Sequence, residues 1–370
     1  MVDIEKPAAA NTEVRSILVI RFQRLGDLVM VLGLAQNLRR AFPTAHLTLM
    51  CGEVYAPFFR QQSGIDDTIG VPAKGFSIEK ISGWIRTFKT IMSRSFDLVI
   101  DVSDNRRSSL LMLLTRAPRR MGFWPPARGS GRRTLLENGA YNYPVPTPAF
   151  ARATDHFISL YLAPLQALGV PIHMSRPILT ATPADRARVE RLHDAAKHGA
   201  YAVIHPGARM PNRRWPTSNF VAAIEYLSKR GLAGVIVGDI SERAIADEIT
   251  RACTAVDLVG RLSLGELTAV IERCSLYLGN NTGPIHIAAA VGAPIVGIYG
   301  RQPVTDRLWT PLAERSSIVL PTNPCACFDP ATCRPIDPDR SFCVWTIPVS
   351  EVMQRIGTLL DCPTANPHWR

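Results

Sequence analysis

The chain has 370 residues, 46% of them apolar and 20% charged, with a formal net charge of +11 carried mostly by arginine. That is ordinary globular usage, and the length favours two domains over one. No uninterrupted apolar run approaches the roughly 18 residues that a bilayer span needs, and no helix-turn-helix, zinc-finger or RNP signature gives the basic charge a nucleic-acid reading.

The polar start MVDIEKPAAANTEVRS lacks an apolar signal core, so residues 1–15 are expected to be a flexible N-terminus of a cytoplasmic protein. SILVIRF (Ser16–Phe22) then reads as a buried strand, RLGDLVMVLGLAQNLRRAF as a helix, and HLTLMCG and DLVIDVS (Asp97–Ser103) as further strands. The densest basic stretch, Thr115–Arg133, follows. A Pro-rich segment with Pro171, Pro177 and Pro183 reads as a linker. The pattern then restarts: YAVIHPGA, the helix TSNFVAAIEYLSKRG, GVIVGD, the helix SERAIADEITRAC, VDLVG, the helix SLGELTAVIERC, LYLGN, the helix TGPIHIAAAVG and the strand PIVGIYG. Strands alternating with helices imply βαβ units and parallel sheets. The expectation is an α/β chain of two doubly wound, Rossmann-like domains facing across a cleft, over residues 16–170 and 200–347. A linker region covers 171–199, a cysteine-bearing loop 321–345, and a last helix within 348–370 is expected to cross back to the first domain.

In doubly wound folds ligands sit at the carboxyl ends of strands, and most polar motifs of this chain fall there. Asp27 opens the helix after the first strand. It is either a helix-start residue stabilised by the dipole or a general base at the mouth of the cleft, and spacing leaves both open. In HPGARMPNRRWP (His205–Pro216), Gly207 lets backbone amides approach an anion, and Arg213 and Arg214 precede the next helix. No Walker P-loop and no G-x-G-x-x-G after a strand is present, which argues against nicotinamide and flavin chemistry. In GNNTGPIHIAAAVGAP (Gly279–Pro294), a strand ends and a helix begins at Thr282 and Gly283. Its first N–H groups suit a phosphate. His286 is then either a half-buried structural histidine or a donor to a leaving-group oxygen. Glu242, at another helix start, can bind ribose hydroxyls or simply stabilise its helix.

Four of the eight cysteines, Cys325, Cys327, Cys333 and Cys343, cluster without the paired C-x-x-C knuckles of common zinc sites. Free thiols in a reducing compartment are the preferred reading, and a structural metal is the alternative.

Together, ILVIRFQRLGDLVM, FDLVIDVSDNRRSSLL, APRRMGF, HPGARMPNRRWP and LSLGELTAVIERCSLYLGNNTGPIHIAAAVGAPIVGIYG resemble the ADP-heptose:lipopolysaccharide heptosyltransferases, in that family's order from about Ser16 to Gly300. The resemblance implies a GT-B glycosyltransferase that inverts the anomeric centre without a metal or other cofactor, with Asp27 as base. It implies donor contacts from Gly207, Ala208, Arg213, Glu242, Ser263, Leu264, Asn281, Thr282, Gly283 and His286. Arg213 stands where a lysine is usual, and Asn281, still a helix cap, where relatives usually carry an aspartate. Ser263 and Leu264 belong to the segment that runs past the adenine. Arg119, Arg120 and Arg132 are the expected acceptor contacts. The expected partners are a nucleotide sugar, ADP-heptose first, and a glycolipid or glycan acceptor, with no nucleic acid. The enzyme would work as a monomer at the anionic inner face of the inner membrane. The alternatives are the same fold acting on another nucleotide sugar or a protein acceptor, a sugar-nucleotide epimerase, and a non-catalytic binding protein.

Overall fold

The computed structural model describes residues 14–73, 78–126, 139–149, 156–192, 200–300, 308–322 and 342–362. By contact density the chain separates into two units: Met1–Gln23 with Leu34–Pro148 and Leu162–His173, and Arg24–Gly33 with Ala149–Tyr161 and Met174–Arg370. The division is not a single cut near residue 170. Two short segments from the first half, 24–33 and 149–161, are counted with the second unit.

The first unit is built on six strands, β1 (Ser16–Ile20), β2 (His46–Gly52), β3 (Asp67–Val71), β4 (Leu98–Asp101), β5 (Arg119–Trp124) and β6 (Tyr143–Pro146). They are all parallel, in the order β3-β2-β1-β4-β5-β6. Connections run through α1 (Leu25–Ala41), α2 (Ala56–Phe59), α3 (Ile78–Met92) and α4 (Arg106–Leu114), and α5 (Ile158–Ala167) follows β6. Strand β1 buries Ile17, Leu18, Val19 and Ile20 completely. A near-continuous apolar run of this kind marks a strand covered on both faces, as a parallel sheet with crossover helices requires. Leu18, Ile20, Met50, Val99, Leu111 and Met112 lie in one core cluster.

The second unit repeats the design. Strands β7 (Tyr201–His205), β8 (Ala233–Ile236), β9 (Val256–Asp257), β10 (Leu276–Asn280), β11 (Ile295–Ile298) and β12 (Ser316–Val319) form a parallel sheet in the order β12-β11-β10-β7-β8-β9. Its helices are α6 (Pro183–Leu192), α7 (Thr217–Lys229), α8 (Arg243–Ala252), α9 (Leu264–Glu272), α10 (Gly283–Val291) and α11 (Val349–Asp361). Counted within each unit, both sheets have the order 3-2-1-4-5-6. Each therefore has a topological switch point between its first and fourth strands, where ligands of doubly wound sheets bind.

Two expectations change. The stretch 171–199 contains a helix, α6. Pro183 starts it, because a proline at the first helical position lacks only an N–H that would have no intrahelical partner anyway. Thr182 and Asp185 cap it reciprocally: Asp185 N–H donates to Thr182 Oγ1 at 3.1 Å, and Thr182 N–H to Asp185 Oδ2 at 3.1 Å. Ion pairs of Arg186 with Glu272, Arg188 with Glu266 and Arg273 with Glu190 then tie α6 to α9 and the residue that follows it. The closing helix α11 does not leave the second unit. Its buried Val352 and Ile356 lie in the core with Phe220, Leu227 and Val319, and Trp215 Nε1–H donates to Ile347 O at 3.0 Å just before it.

Candidate functional site

At the second sheet's switch point β7 ends at His205 and β10 at Asn280. Asn280 is fully buried and fastens the two strand ends together. Its Nδ2 donates to Pro206 O at 2.8 Å, and its Oδ1 accepts from Trp215 N–H at 3.1 Å. The loop carrying Gly207, Ala208 and Arg213 is thereby fixed at both ends. Arg213 closes a short 3-10 turn, Pro211–Arg213, ahead of the buried Trp215, and Arg214 Nε–H donates to Ala208 O at 2.7 Å.

Glu242 reaches this loop from the end of β8. A Cβ on Gly207 would lie 1.7 Å from Glu242 Oε1, and one on Gly238 2.5 Å from Oε2, so only glycines admit the carboxylate here. Glu242 Oε2 accepts from Asp239 N–H at 3.0 Å and lies 3.4 Å from His205 Nε2. Burial works against its ionisation, but the His205 hydrogen bond, the Asp239 amide and the Arg214 guanidinium outweigh it and hold the carboxyl below its ordinary range. His205 Nδ1 in turn lies 3.1 Å from Thr282 Oγ1. Thr282, His205 and Glu242 thus form one polar chain across the ends of β10, β7 and β8.

Helix α10 begins at this chain. Its N-cap is Thr282, in extended conformation, and not Asn281. No side chain caps it, because the Thr282 hydroxyl is turned to His205 and to Asn280 O. The first-turn N–H groups are therefore left for an external acceptor, with the positive end of the helix dipole behind them. Asn281 is half-buried, and its N–H donates to Ile298 O at 3.0 Å.

The turn that carries Asp27 packs on the same helix start, within the second unit. Gly26 lies under the His286 imidazole: a Cβ there would be 2.6 Å from His286 Cδ2. Gly283 lies under Leu25, with 3.0 Å from its would-be Cβ to Leu25 Cβ. These two glycines let two helix N-termini come together, which places Asp27 in the electrostatic field of His286. Asp27 is only 1% exposed, so its carboxylate is held out of bulk water, and Tyr161 Oη–H donates to its Oδ1. Phe157 stacks on Trp309 at 4.3 Å between ring centroids and meets Tyr161 edge-on at 5.7 Å, while Trp309 meets His286 edge-on at 6.4 Å. An aromatic wall thus runs from Tyr161 to His286. Burial, with His156 nearby, lowers the His286 pKa to about 4 against the opposing pull of Asp27. At neutral pH His286 is an uncharged imidazole, able to donate one hydrogen bond but not to act as a cation.

Of the residues singled out in the sequence, Gly207, Ala208, Arg213, Glu242, Asn281, Thr282, Gly283, His286 and Asp27 lie at these strand ends or helix starts. Ser263 and Leu264 follow β9. The Ser263 hydroxyl caps α9, accepting from Glu266 N–H at 3.2 Å, while Glu266 Oε2 accepts from Ser263 N–H at 2.7 Å. Arg119 and Arg120 are not at a ligand edge. They open β5 and pair in register with Leu98 and Val99, so they lie at the amino end of the first sheet, opposite the edge where Asp101 ends β4. The Arg120 guanidinium donates to Ala140 O at 2.8 Å and Ala117 O at 2.7 Å, a structural use that explains its position. Arg132, Cys325, Cys327 and Cys333 lie outside the described residues. Cys343 is buried, and among the described residues no group of three or more His, Cys, Asp or Glu side chains is arranged to hold a metal ion.

Sequence reasoning missed Tyr161, Asn280 and the role of His205. Asn280 had a usable signal, as a polar residue closing an otherwise apolar strand at a switch point. Tyr161 had none, being one aromatic residue in an apolar stretch more than a hundred residues from Asp27.

The sequence model of glycosyltransferase family 9 (heptosyltransferase) matches residues 84–334. Among characterised relatives, lipopolysaccharide heptosyltransferase 3 of Escherichia coli is 25% identical over 294 residues, covering 77% of this chain and 83% of its own. Among solved structures, a family 9 glycosyl transferase from Veillonella parvula superposes with a TM-score of 0.78 at 22% identity, covering 94% of this chain and 97% of its own. The E. coli heptosyltransferase WaaC with ADP gives a TM-score of 0.70 at 17% identity, over 93% and 99% of the two chains. Two parallel six-stranded sheets with the strand order of a Rossmann fold, the glycine-cradled strand ends and this match over more than half the sequence lead to one conclusion: the chain is a GT-B-fold enzyme that belongs to glycosyltransferase family 9.

Proposed function

We propose that this enzyme transfers a heptose from ADP-heptose to a lipopolysaccharide-core acceptor, inverting the anomeric centre in a single displacement that needs no metal. The observation that carries the reading is the interlock of the Asp27 turn with the start of α10, through Gly26 under His286 and Gly283 under Leu25. It sets a carboxylate beside an uncapped helix N-terminus. One is the group that an acceptor hydroxyl needs, and the other is what a departing diphosphate needs. The names of the relatives support heptose as the sugar, and the ADP complex of WaaC supports the nucleotide.

In this mechanism the acceptor oxygen attacks the anomeric carbon on the face opposite the diphosphate. Asp27 takes the hydroxyl proton as the new C–O bond forms. The bond from the anomeric carbon to the β-phosphate oxygen breaks, and its electron pair leaves with ADP. The N–H groups opening α10, the Arg213 guanidinium and the neutral His286 N–H support the charge that gathers on that oxygen. Glu242, held ionised, accepts from the ribose hydroxyls, and Ser263–Leu264 border the adenine. Tyr161 fixes the orientation of the Asp27 carboxylate. Arg132, within the basic stretch, remains the proposed contact for an anionic acceptor at the membrane face. Asn281 leaves a sugar-facing position without the negative charge that an aspartate would supply. This keeps hydrogen bonding to a hydroxyl but alters the preference among sugars.

A thermal-shift panel of ADP-, UDP-, GDP- and CDP-sugars tests the donor. Stabilisation by ADP-heptose above the others is expected. Stronger stabilisation by a UDP-, GDP- or CDP-sugar would replace the donor assignment. Release of ADP from the donor without any acceptor product would replace transfer.

A further inference from the structure

Helix α3 in the first unit carries a row of apolar side chains that the fold does not cover. Ile81, Ile85, Phe88 and Met92 are between 38% and 63% exposed. With about 100° between successive helical residues, these four fall within an arc of about 60°. The side chains that α3 buries, Thr87 and Ile91, lie on a different face. Neighbouring α4, in contact with α3, adds Leu110 and Leu114, each more than a third exposed and one turn apart. Single exposed apolar residues need no explanation, but four in a row along one helix, beside a touching helix that exposes two more, do.

Among the described side chains, the charge beside this row has one sign. Arg86 and Lys89 flank it on the adjoining arc of α3, and Arg106 opens α4; all three are exposed. Neither 81–94 nor 106–114 contains an aspartate or a glutamate. The other basic groups of these stretches have structural partners. Arg94 pairs with Asp67 at 2.7 Å. Arg107 lies 4.9 Å over the Trp84 ring and donates to Pro72 O at 3.2 Å. Trp84 packs on Phe88 at 5.7 Å between ring centroids, so the row is braced from beneath.

We infer that the exposed face of α3, with Leu110 and Leu114 of α4, is the surface by which this enzyme lies on an anionic lipid bilayer. An apolar stripe whose charged neighbours among the described side chains are basic is the pattern of a helix lying in the bilayer interface. Its apolar side chains enter the acyl boundary while Arg86, Lys89 and Arg106 meet phosphate headgroups. A second protein copy would bring the same positive charges face to face, which disfavours self-association here. Among the described residues no helix is long and apolar enough to cross a membrane, so contact through this face is peripheral. The inference deepens the proposed function, since an acceptor anchored in lipid must be reached at the bilayer surface.

The test uses the full chain and co-sedimentation with vesicles of phosphatidylethanolamine and phosphatidylglycerol, beside vesicles of phosphatidylcholine alone. The wild type is expected to bind the anionic vesicles and to bind the neutral ones at least tenfold more weakly. The triple variant Ile85→Ser, Phe88→Ser, Met92→Ser should lose at least tenfold in binding. Arg86→Gln with Lys89→Gln should lose roughly 25-fold, at about fivefold for each basic residue near an anionic surface. All variants are expected to keep the wild-type circular dichroism spectrum and turnover with a delipidated, water-soluble acceptor. Anionic-vesicle binding unchanged in both variants overturns the inference. So does a wild-type dimer that the triple variant converts to monomer, because the face would then belong to a second copy. Vesicle binding that follows the expected pattern in a protein that transfers no sugar would leave this surface standing and remove the proposed function.

Discussion

Replacing Gly26 with alanine adds one methyl group at the closest approach between the Asp27 turn and α10. The new Cβ would lie 2.6 Å from His286 Cδ2, 3.2 Å from Nε2 and 3.4 Å from Cγ. Carbon atoms in ordinary contact sit about 3.5–4.0 Å apart, so the imidazole or the turn must retreat by roughly 1 Å. The ring is buried, with Trp309 edge-on at 6.4 Å between centroids, and it has little room to yield. Overpacking of this kind costs about 1–3 kcal/mol of stability. A displacement of about 1 Å between a base and its reacting partners costs on the order of a hundredfold in rate. The Gly26→Ala variant should therefore lose about a hundredfold in kcat/KM while remaining folded at 25 °C. Initial rates of transfer, with urea unfolding in parallel, read both effects. A variant within about threefold of wild-type kcat/KM would show that this contact does not set the catalytic geometry.

Tyr161→Phe removes the hydroxyl that orients Asp27; kcat should fall about tenfold or more, with ADP affinity by calorimetry unchanged, and an unaltered kcat would remove Tyr161 from the mechanism. Arg213→Ala should weaken ADP binding about tenfold or more, the worth of a charged hydrogen bond to phosphate; equal ADP affinity would exclude Arg213 from the phosphate site. The His286 pKa, lowered from 6.5 to about 4 in the folded protein, makes the unfolded chain take up the proton first as pH falls. Stability from this group is thus full above pH 6.5 and is lost between 6.5 and about 4, by on the order of 3 kcal/mol. Asp101, raised from 3.8 to about 6 chiefly by burial, acts in the opposite direction, since its folded form takes up the proton first and gains stability as pH falls through the same range. Urea unfolding of wild type and His286→Asn at pH 7 and pH 4.5 separates the two: the variant should lose less stability on acidification, and equal losses would contradict the burial of a neutral His286.

Where local pattern decided the outcome, the sequence could be read almost to the residue. LYLGN is β10 from Leu276 to Asn280, and the last helix, expected within 348–370, runs from Val349 to Asp361. Each is a periodic apolar run, and burial enforces the period. Pro183 was misleading because one residue type marks both linkers and helix starts, and the Thr182–Asp185 capping box was the evidence that decides between them. The helix starts at Asp27 and at Thr282–His286 were also visible, since glycine, proline and polar residues cluster there. The contacts that join them were not. Gly26 against His286 and Tyr161 against Asp27 connect residues 260 and 134 positions apart in sequence, and no periodicity carries that information. The basic stretch pointed to an anionic partner, but its Arg119 and Arg120 fall at the amino end of β5. Which end of a strand a residue occupies follows from register, and register is set by pairing with β4. The exposed row on α3 was likewise hidden, because an apolar residue in a helix reads as core until the fold leaves it uncovered.

The central claim is that Asp27 takes the proton from the acceptor, and the isosteric Asp27→Asn variant tests it most directly. Asparagine keeps the size of the side chain and an oxygen for the Tyr161 hydroxyl but cannot accept the proton as a base. Under single-turnover conditions with ADP-heptose and a core acceptor, the account predicts a fall in transfer of about 10²–10⁴, the span that general base catalysis supplies, with the dissociation constant for ADP-heptose unchanged. Transfer at close to the wild-type rate in a variant that binds the donor normally would contradict it.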